Sequence, residues 1–498
     1  MNDIAQLLLP AIRWDASRGY ETSRELIDLA LDRGVGGFIL FGGESDAARR
    51  LTAELRSRSR IPLLIGADLE RGAGQQFAGA IGLPPLAAIA SLGDPSAISG
   101  AAGLTAREAR SLGIDWIYAP VCDLDIEPAN PIIGTRSFGA DPHKVALDAV
   151  LWIEACQNNG VLACAKHFPG HGRTTVDSHA ALPSVDVSAA TLKETDLVPF
   201  EAAVDAGVAA VMTAHVAYPA LDSSGAPATL SRSILNDVLR DEIGFPGLVV
   251  TDALIMEGVL GGGEATAVVR ALAAGCDLLL YPTNLAACID AIAAAFDGGE
   301  LSEEKIALSL QRRRRWAEWA NAEHSPPPVT RDDAIWAEQL SERVVHRLRG
   351  DARPIPEKIE VCIVDDDIGG PYPPPSREPF IETLAKNEVS AEVRDTPSGM
   401  TGTDVAIALF GDIRSWKGRP GYSARALDSV SQTLKAARDG GQEAVIVQFS
   451  HPRLAASIPG DAPILCAWGG EAVMQRAAAR VLAGTKSATA NTRRTGTA

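Results

Sequence analysis

Between residues 5 and 282 the chain alternates, eight times over, a short apolar run rich in β-forming residues with a longer segment whose apolar positions fall at helical spacing. Few folds accommodate that rhythm. The runs are Ala5 to Ile12, Gly36 to Phe41, Pro62 to Ala67, Trp116 to Val121, Val161 to Ala165, Val208 to Ala214, Leu248 to Thr251 and Cys276 to Tyr281. Among the intervening segments, Ser23 to Arg33, Lys144 to Asn158, Ser231 to Ile243 and Glu264 to Ala274 read as helices. Several open on Ser or Asp and close on Gly, as Ser231 to Gly244 does. The α/β class follows. Eight strand-then-helix units fit one (β/α)8 TIM barrel better than a doubly wound sheet; the alternative is a mixed α/β fold with one strand miscounted.

Polar residues close these runs repeatedly: Asp68, Asp123 and Asp125, Lys166 and His167, His215, Asp252. One such residue is often a turn or a cap. In a barrel of parallel strands, however, acids and bases closing five strands converge on one mouth, where chemistry is done. The densest stretch is Val161 to His179, VLACAKHFPGHGRTTVDSH, in which an apolar strand runs into a Gly- and Pro-broken loop carrying Lys, His, Arg and Asp.

The rest of the chain reads as a second, smaller α/β unit. Leu301 to Ala322 forms a helix with Ser302 as its cap and an Arg312 to Arg315 run that reads as a solvated face. SPPPV at 325 to 329 and ARPIP at 352 to 356 bracket a linker with a short helix. Strands are expected at Ile359 to Val364, Val405 to Phe410, Ala444 to Phe449 and Ile464 to Ala467, with helices at Glu378 to Lys386, Ser423 to Asp439 and Gly470 to Leu482. The expected domains are therefore a barrel over 1–325, a linker over 326–357, a sandwich-like α/β domain over 358–485 and a disordered Thr/Ala-rich tail over 486–498. Asp365 to Asp367 reads as a solvated turn. WKGRPGY at 416 to 422 reads as a lid or contact loop, or as turn chemistry alone.

A formal net charge of -17 argues against nucleic acid or an anionic membrane as partner. A small neutral ligand fits better. Seven cysteines without a CxxC pair read as buried free thiols in a reducing compartment, and residues 4 to 12 lack the basic flank of a signal peptide. No apolar segment is long enough to span a bilayer. The expected location is the cytoplasm.

Within the polar set, Asp177 and His179 lie two apart on a loop, so the carboxylate can hold the imidazole and raise its basicity, which suits a general acid near neutrality. The same Asp-Ser-His spacing occurs in ordinary turns. Asp252 can serve as nucleophile, metal ligand or hydrogen-bond acceptor. Asp68 can accept from two sugar hydroxyls. Arg136 and Lys166 can grip hydroxyls or simply pair with Asp123 or Asp125.

KHFPGHG at 166 to 172 with DSH at 177 to 179, APVCDLD at 119 to 125, RSFG at 136 to 139, MTAHVAYPALD at 212 to 222 and TDALIMEG at 251 to 258 together resemble glycoside hydrolase family 3, in its β-N-acetylglucosaminidase branch. The resemblance covers nearly the whole first domain in order, and more loosely the second. It implies a retaining, exo-acting hydrolase of terminal β-linked N-acetylglucosamine. Asp252 would be the nucleophile, His179 assisted by Asp177 the acid/base, and Asp68, Arg136, Lys166 and His167 the sugar-binding residues; no metal or cofactor is implied.

The chain departs from the family where many members read DQEGGRVQR. Here Ala73 and Gln76 replace two arginines, the second of which contacts sugar in those enzymes. That change bears on the sugar rather than the reaction, and leaves a β-glucosidase as an alternative. A β-N-acetylglucosaminide phosphorylase is another, because an imidazole base, unlike a carboxylate, does not repel phosphate. Two further rivals are a metal-dependent barrel hydrolase collecting His167, His171, His179 and Asp252, and a non-catalytic sugar-binding scaffold.

Overall fold

The computed structural model describes residues 3–178, 181–259, 261–351, 355, 357–367, 374–398, 403–413 and 417–484. The chain divides into two units, residues 1–81 with 94–331 and residues 82–93 with 332–498.

The strands of the first unit are β1 (Leu8–Leu9), β2 (Ala11–Arg13), β3 (Gly37–Phe41), β4 (Leu64–Ala67), β5 (Trp116–Ile117), β6 (Cys164–Phe168), β7 (Ala210–Thr213), β8 (Leu248–Thr251) and β9 (Leu279–Leu280). Every pairing is parallel. The series β2-β3-β4-β5 and β6-β7-β8 are joined by bridges from Trp116 to Leu162 and from Val121 to Lys166. Val250 bridges to Leu278, and β9 pairs with β1 through Leu8 to Leu279 and Leu9 to Leu280. β1 and β2 are one strand interrupted at Pro10, which has no N–H to give a ladder. The pairings thus return to their start. The expected first strand is shorter than the apolar run, because Ile4–Leu7 winds into a 3-10 turn instead.

Alternate residues explain why the strands read as continuous apolar runs. Ile39, Trp116 and Tyr118, Leu162 and Cys164, Ala210 and Met212, Leu248 and Val250, Leu278 and Leu280 form one core inside the ring. Their neighbours Leu40, Val211, Val249 and Leu279 are buried as well. Strands covered on both faces lose the alternation that marks a half-solvated sheet. Helices follow the strands in regular order, among them Arg24–Arg33, Ser45–Arg58, Pro142–Asn158, Glu264–Ala274 and Leu285–Asp297. Pro142–Asn158 begins where Asp141 caps the amides of His143 and Lys144 and proline occupies the first turn.

The helix Glu303–Asn321 is capped by Ser302 as expected, but its Arg run is not simply a solvated face. Arg313 is buried and donates to the Gly36 and Pro62 carbonyls at the starts of β3 and β4, while Arg312 pairs with Asp277 at 3.0 Å. Burial pushes the Arg313 guanidinium down to about 10.

The second unit is a six-stranded sheet in the order β10-β15-β14-β13-β11-β12, from β10 (His346–Arg349), β11 (Lys358–Asp365), β12 (Ser390–Val393), β13 (Asp404–Phe410), β14 (Ala444–Phe449) and β15 (Ile464–Cys466). Only β10 runs antiparallel. Val405, Ile407 and Leu409 face one core, and Ala406, Ala408 and Phe410 the other, so the sheet lies between two apolar layers. The stretch read as a linker contributes the helix Arg331–Val344 and β10. The short helix Leu86–Ser91 also belongs here, with Ala87 and Ala88 in the core beside Val473 and Met474.

Asp365 to Asp367 is not a solvated turn. Asp366 and Asp367 are buried, Asp366 taking both Nη atoms of Arg419 and Asp367 an Nη of Arg377. Residues 352–354 and 356 of the ARPIP stretch, residue 416 of WKGRPGY and the tail from 485 lie outside the described residues. Among the described residues no helix is long and apolar enough to cross a membrane. All seven cysteines are free and buried.

Candidate active site

The polar residues that close the strands meet at the C-terminal ends of β2 to β9. Asp68 follows β4 directly and Lys166 lies in β6; their side chains pair at 2.8 Å, with Lys166 almost fully buried. Lys166 also meets Glu70 at 2.7 Å, and Glu70 accepts two bonds from Arg136, at 2.8 Å from Nη2 and 3.0 Å from Nε. Burial alone would neutralise Glu70. Arg136 and Lys166 overcome it and hold the carboxyl well below its usual range, while burial of Lys166 is outweighed by Asp68 and Glu70, which raise the ammonium. Arg136 therefore pairs with Glu70, and Lys166 with Glu70 and Asp68, where the sequence suggested Asp123 or Asp125 as partners.

Asp123 has another task. Its Oδ2 meets His167 Nδ1 at 2.6 Å, and its Oδ1 accepts the backbone amides of His167 at 3.1 Å and His171 at 2.6 Å. Despite complete burial it stays below its ordinary value, because the His167 ring and these donors favour the carboxylate. The pairing of β6 with β7 slips between Lys166 and Phe168, so neighbouring residues escape strict alternation, and Lys166 and His167 are both buried polar groups of the site. Gly172 is fixed by sterics: a Cβ there would lie 1.9 Å from the Leu124 carbonyl oxygen.

The loop after β6 returns to the same place. Asp177 and Ser178 are buried. His171 reaches Thr174 Oγ1 from Nδ1 at 2.8 Å and Ser178 Oγ from Nε2 at 2.9 Å, and burial with the nearby His167 pushes its ring down to about 4. His179 lies outside the described residues. Asp252 follows β8, half-buried, and its Oδ1 accepts the Ala253 amide at 2.7 Å. β8 pairs with β7 and β7 with β6, so Asp252 closes a strand two removed from the one that carries Lys166 and His167. His215, closing β7, spans Thr229 Oγ1 at 2.7 Å and the Ala253 carbonyl at 3.2 Å, steadying the segment that starts at Asp252.

The structure thus brings Asp68, Arg136, Lys166, His167, Asp177 and Asp252 to one end of the ring. Glu70 completes the cationic pair and had only one sequence signal, an acid two residues beyond a strand-closing Asp. Arg13, Phe41 and Tyr281 were not singled out: the guanidinium carbon lies 4.6 Å from the Phe41 ring centre and 5.2 Å from that of Tyr281, a stack at the ends of β2, β3 and β9. Gln76, at a family arginine position, turns to the backbone, its Oε1 accepting the Gly42 amide at 3.0 Å. Among the described residues no group of three or more His, Cys, Asp and Glu is arranged to hold a metal ion.

Comparison with known proteins agrees with this architecture. The glycosyl hydrolase family 3 N-terminal domain matches residues 2–315. A protein of Cellulomonas fimi named β-N-acetylglucosaminidase/β-glucosidase is 37% identical over 278 residues, 54% of this chain and 49% of that one, so the chain spans about half of that relative's length. A β-hexosaminidase of Chromobacterium violaceum is 41% identical over 259 residues, covering 49% of this chain and 71% of that one. Among solved structures, a glycoside hydrolase family 3 β-N-acetylglucosaminidase from Paenibacillus superposes with a TM-score of 0.83 at 27% identity, over 97% of this chain and 96% of the other.

Proposed function

Because the chain belongs to glycosyl hydrolase family 3, with the N-terminal domain matched over residues 2–315, we propose that its ring of eight strands is a (β/α)8 barrel whose mouth removes terminal β-linked N-acetylglucosamine with retention of configuration. The observation that carries this reading is that Asp252, closing β8, stands at the same end of the parallel strands as the Asp68–Lys166–Glu70–Arg136 chain and the His167–Asp123 pair. Fixed donors on one side and a carboxylate on the other suit a sugar ring held for attack at its anomeric carbon.

In the proposed cycle Asp252 attacks that carbon and forms a glycosyl ester while His179 protonates the departing oxygen. His179 then takes the proton of the acceptor, which displaces Asp252. Asp177 favours the imidazolium needed in the first step. Asp68, with Lys166 on one oxygen, offers the other to a hydroxyl, and Arg136 and His167 supply further contacts. Lys166 has a second effect: its buried ammonium balances the carboxylates of Asp68 and Glu70. The free, buried thiols support a reducing, cytoplasmic setting.

A second reading, the same chemistry on β-glucosides, is favoured by Gln76: tied to Gly42, it leaves unfilled the role of an arginine that touches sugar in relatives. The name of the Cellulomonas fimi relative carries both sugars. Both readings are tested by assaying aryl β-N-acetylglucosaminide and aryl β-glucoside, each with and without phosphate, beside Asp252→Ala. Turnover of the N-acetyl sugar that is lost by at least about a thousandfold in the variant supports the proposal. Glucoside turnover alone selects the second reading, sugar 1-phosphate as product replaces water by phosphate as acceptor, and full activity in Asp252→Ala ends both.

A further inference from the structure

Resting on the acid/base assignment above, we propose that His171 is a positioning residue: a buried imidazole that seats the loop after β6 by holding Ser178, the residue between Asp177 and His179 in the sequence. The hydrogen bonds of the ring are local to that loop, and its edge meets the His167 ring of β6 with centroids 5.9 Å apart. Nδ1 meets Thr174 Oγ1 at 2.8 Å and Nε2 meets Ser178 Oγ at 2.9 Å, so the imidazole spans the loop from its third to its seventh following residue.

The ring itself cannot drift. Its backbone amide donates to Asp123 Oδ1 at 2.6 Å, and its carbonyl accepts from Asn130 Nδ2 at 3.0 Å. The same Asn130 nitrogen reaches Thr174 Oγ1 at 3.2 Å, while Asn130 Oδ1 accepts the amides of Ile132 and Ile133. On its far side Ser178 is held by its carbonyl, which accepts the Gly258 amide at 3.3 Å. Gly258 lies in the segment that Asp252 opens, and a Cβ there would come within 3.2 Å of the Ser178 and His215 carbonyl oxygens. Ser178 is therefore fastened from two directions, by its hydroxyl to the loop after β6 and by its backbone to the loop after β8. The second fastening ties the acid/base loop to the nucleophile's own segment. Removing the first leaves the loop attached but free to pivot about Gly258.

The variant that tests this is Ser178→Ala, which deletes one hydroxyl and little volume. Acid assistance matters most when the departing oxygen is strongly basic and least when it is a good leaving group. A displaced acid therefore slows an alkyl β-N-acetylglucosaminide by about tenfold or more in kcat and a dinitrophenyl glycoside by little, with KM near wild type and only the modest fall in thermal midpoint that one lost buried hydrogen bond entails. Thr174→Val, which removes the hydroxyl on the other ring nitrogen, should show the same split, and Thr174→Ser should restore the wild-type ratio. Equal losses on the two substrates in the folded variants, or no loss, would overturn the positioning role while leaving the proposed activity intact. Wild-type protein that turns over neither substrate, with Asp252→Ala no different, would instead remove the activity on which the role rests.

Discussion

At the residue scale the site is built from ions and imidazoles removed from water, and their titration couples the fold to pH. Glu70 ionises below its ordinary range because Arg136 and Lys166 outweigh the cost of its burial. It contributes stability that is present above the unfolded value near 4.5 and is lost as pH falls through the lower folded value. His171 works in the same direction from a different cause: burial holds it neutral down to about 4, whereas the unfolded chain takes up that proton near 6.5. Stability from His171 is full above 6.5 and falls as pH drops toward 4, by about 3 kcal/mol in all. Thermal melts from pH 7 to pH 4 should thus show a falling midpoint for the first unit, and His171→Asn should flatten the part of the slope between 6.5 and 4. A slope unchanged in that variant would mean that the imidazole is already charged in the fold. Much of this was legible in the sequence as a set of polar residues closing apolar runs. The partners were not, because Arg136 finds Glu70 across 66 positions of chain and Lys166 finds Asp68 across 98. Asp123 could be read as an acid at a strand end, but nothing in APVCDLD says that it serves His167 and the His171 amide rather than an arginine.

At the scale of elements the periodic signal was strongest where both faces of a strand are buried, as in β3, β7, β8, β13 and β14. It was weakest for β10 and β12 at the sheet's edges, whose residues HRLR, mostly half-buried, and SAEV, mostly exposed, carry no apolar run. Helical charge runs misled for a related reason: a guanidinium at the end of a long apolar stem can be drawn inward when carbonyls wait there. In Glu303–Asn321 that happens at Arg313, which donates to Gly36 and Pro62 at the ends of β3 and β4 opposite Asp68 and the other strand-closing polar residues. Gly36 O also accepts the Leu64 amide, so it keeps a partner without the arginine. Arg313→Met preserves most of the stem and strips the donors, leaving the Pro62 carbonyl to be desolvated without its partner. The expected cost is about 1–3 kcal/mol of stability with kcat and KM unchanged below the melt. Denaturant unfolding beside steady-state kinetics checks both halves, and an altered KM at full stability would mean that the bottom of the ring communicates with its mouth.

At the scale of the whole molecule the chain does not divide at one point. Residues 82–93 leave the first unit after Ile81 and return to it at Asp94, and in between they supply the helix Leu86–Ser91 to the second. Ala87 and Ala88 stand in one core with Phe380, Leu384, Val473 and Met474, and Leu92 lies against it. A sequence reading by domains sees only an apolar hexamer there, since a helix of six residues shows too few turns to reveal which partner its apolar side will find. The consequence is a limit on truncation. A chain ending at Arg331 retains all nine strands of the first unit, yet it carries 82–93 without the core that buries Ala87 and Ala88, leaving apolar surface in water. Such a chain should bind a hydrophobic dye, melt below the corresponding transition of the full chain and lose soluble yield. Replacing residues 82–93 in it by a short Gly/Ser connector should recover part of that loss, since the connector has no apolar side to cover. If the truncated chain instead melts as the full chain's first unit does and binds no dye, the segment is buried well enough by its own surroundings, and its place in the second core is incidental to stability.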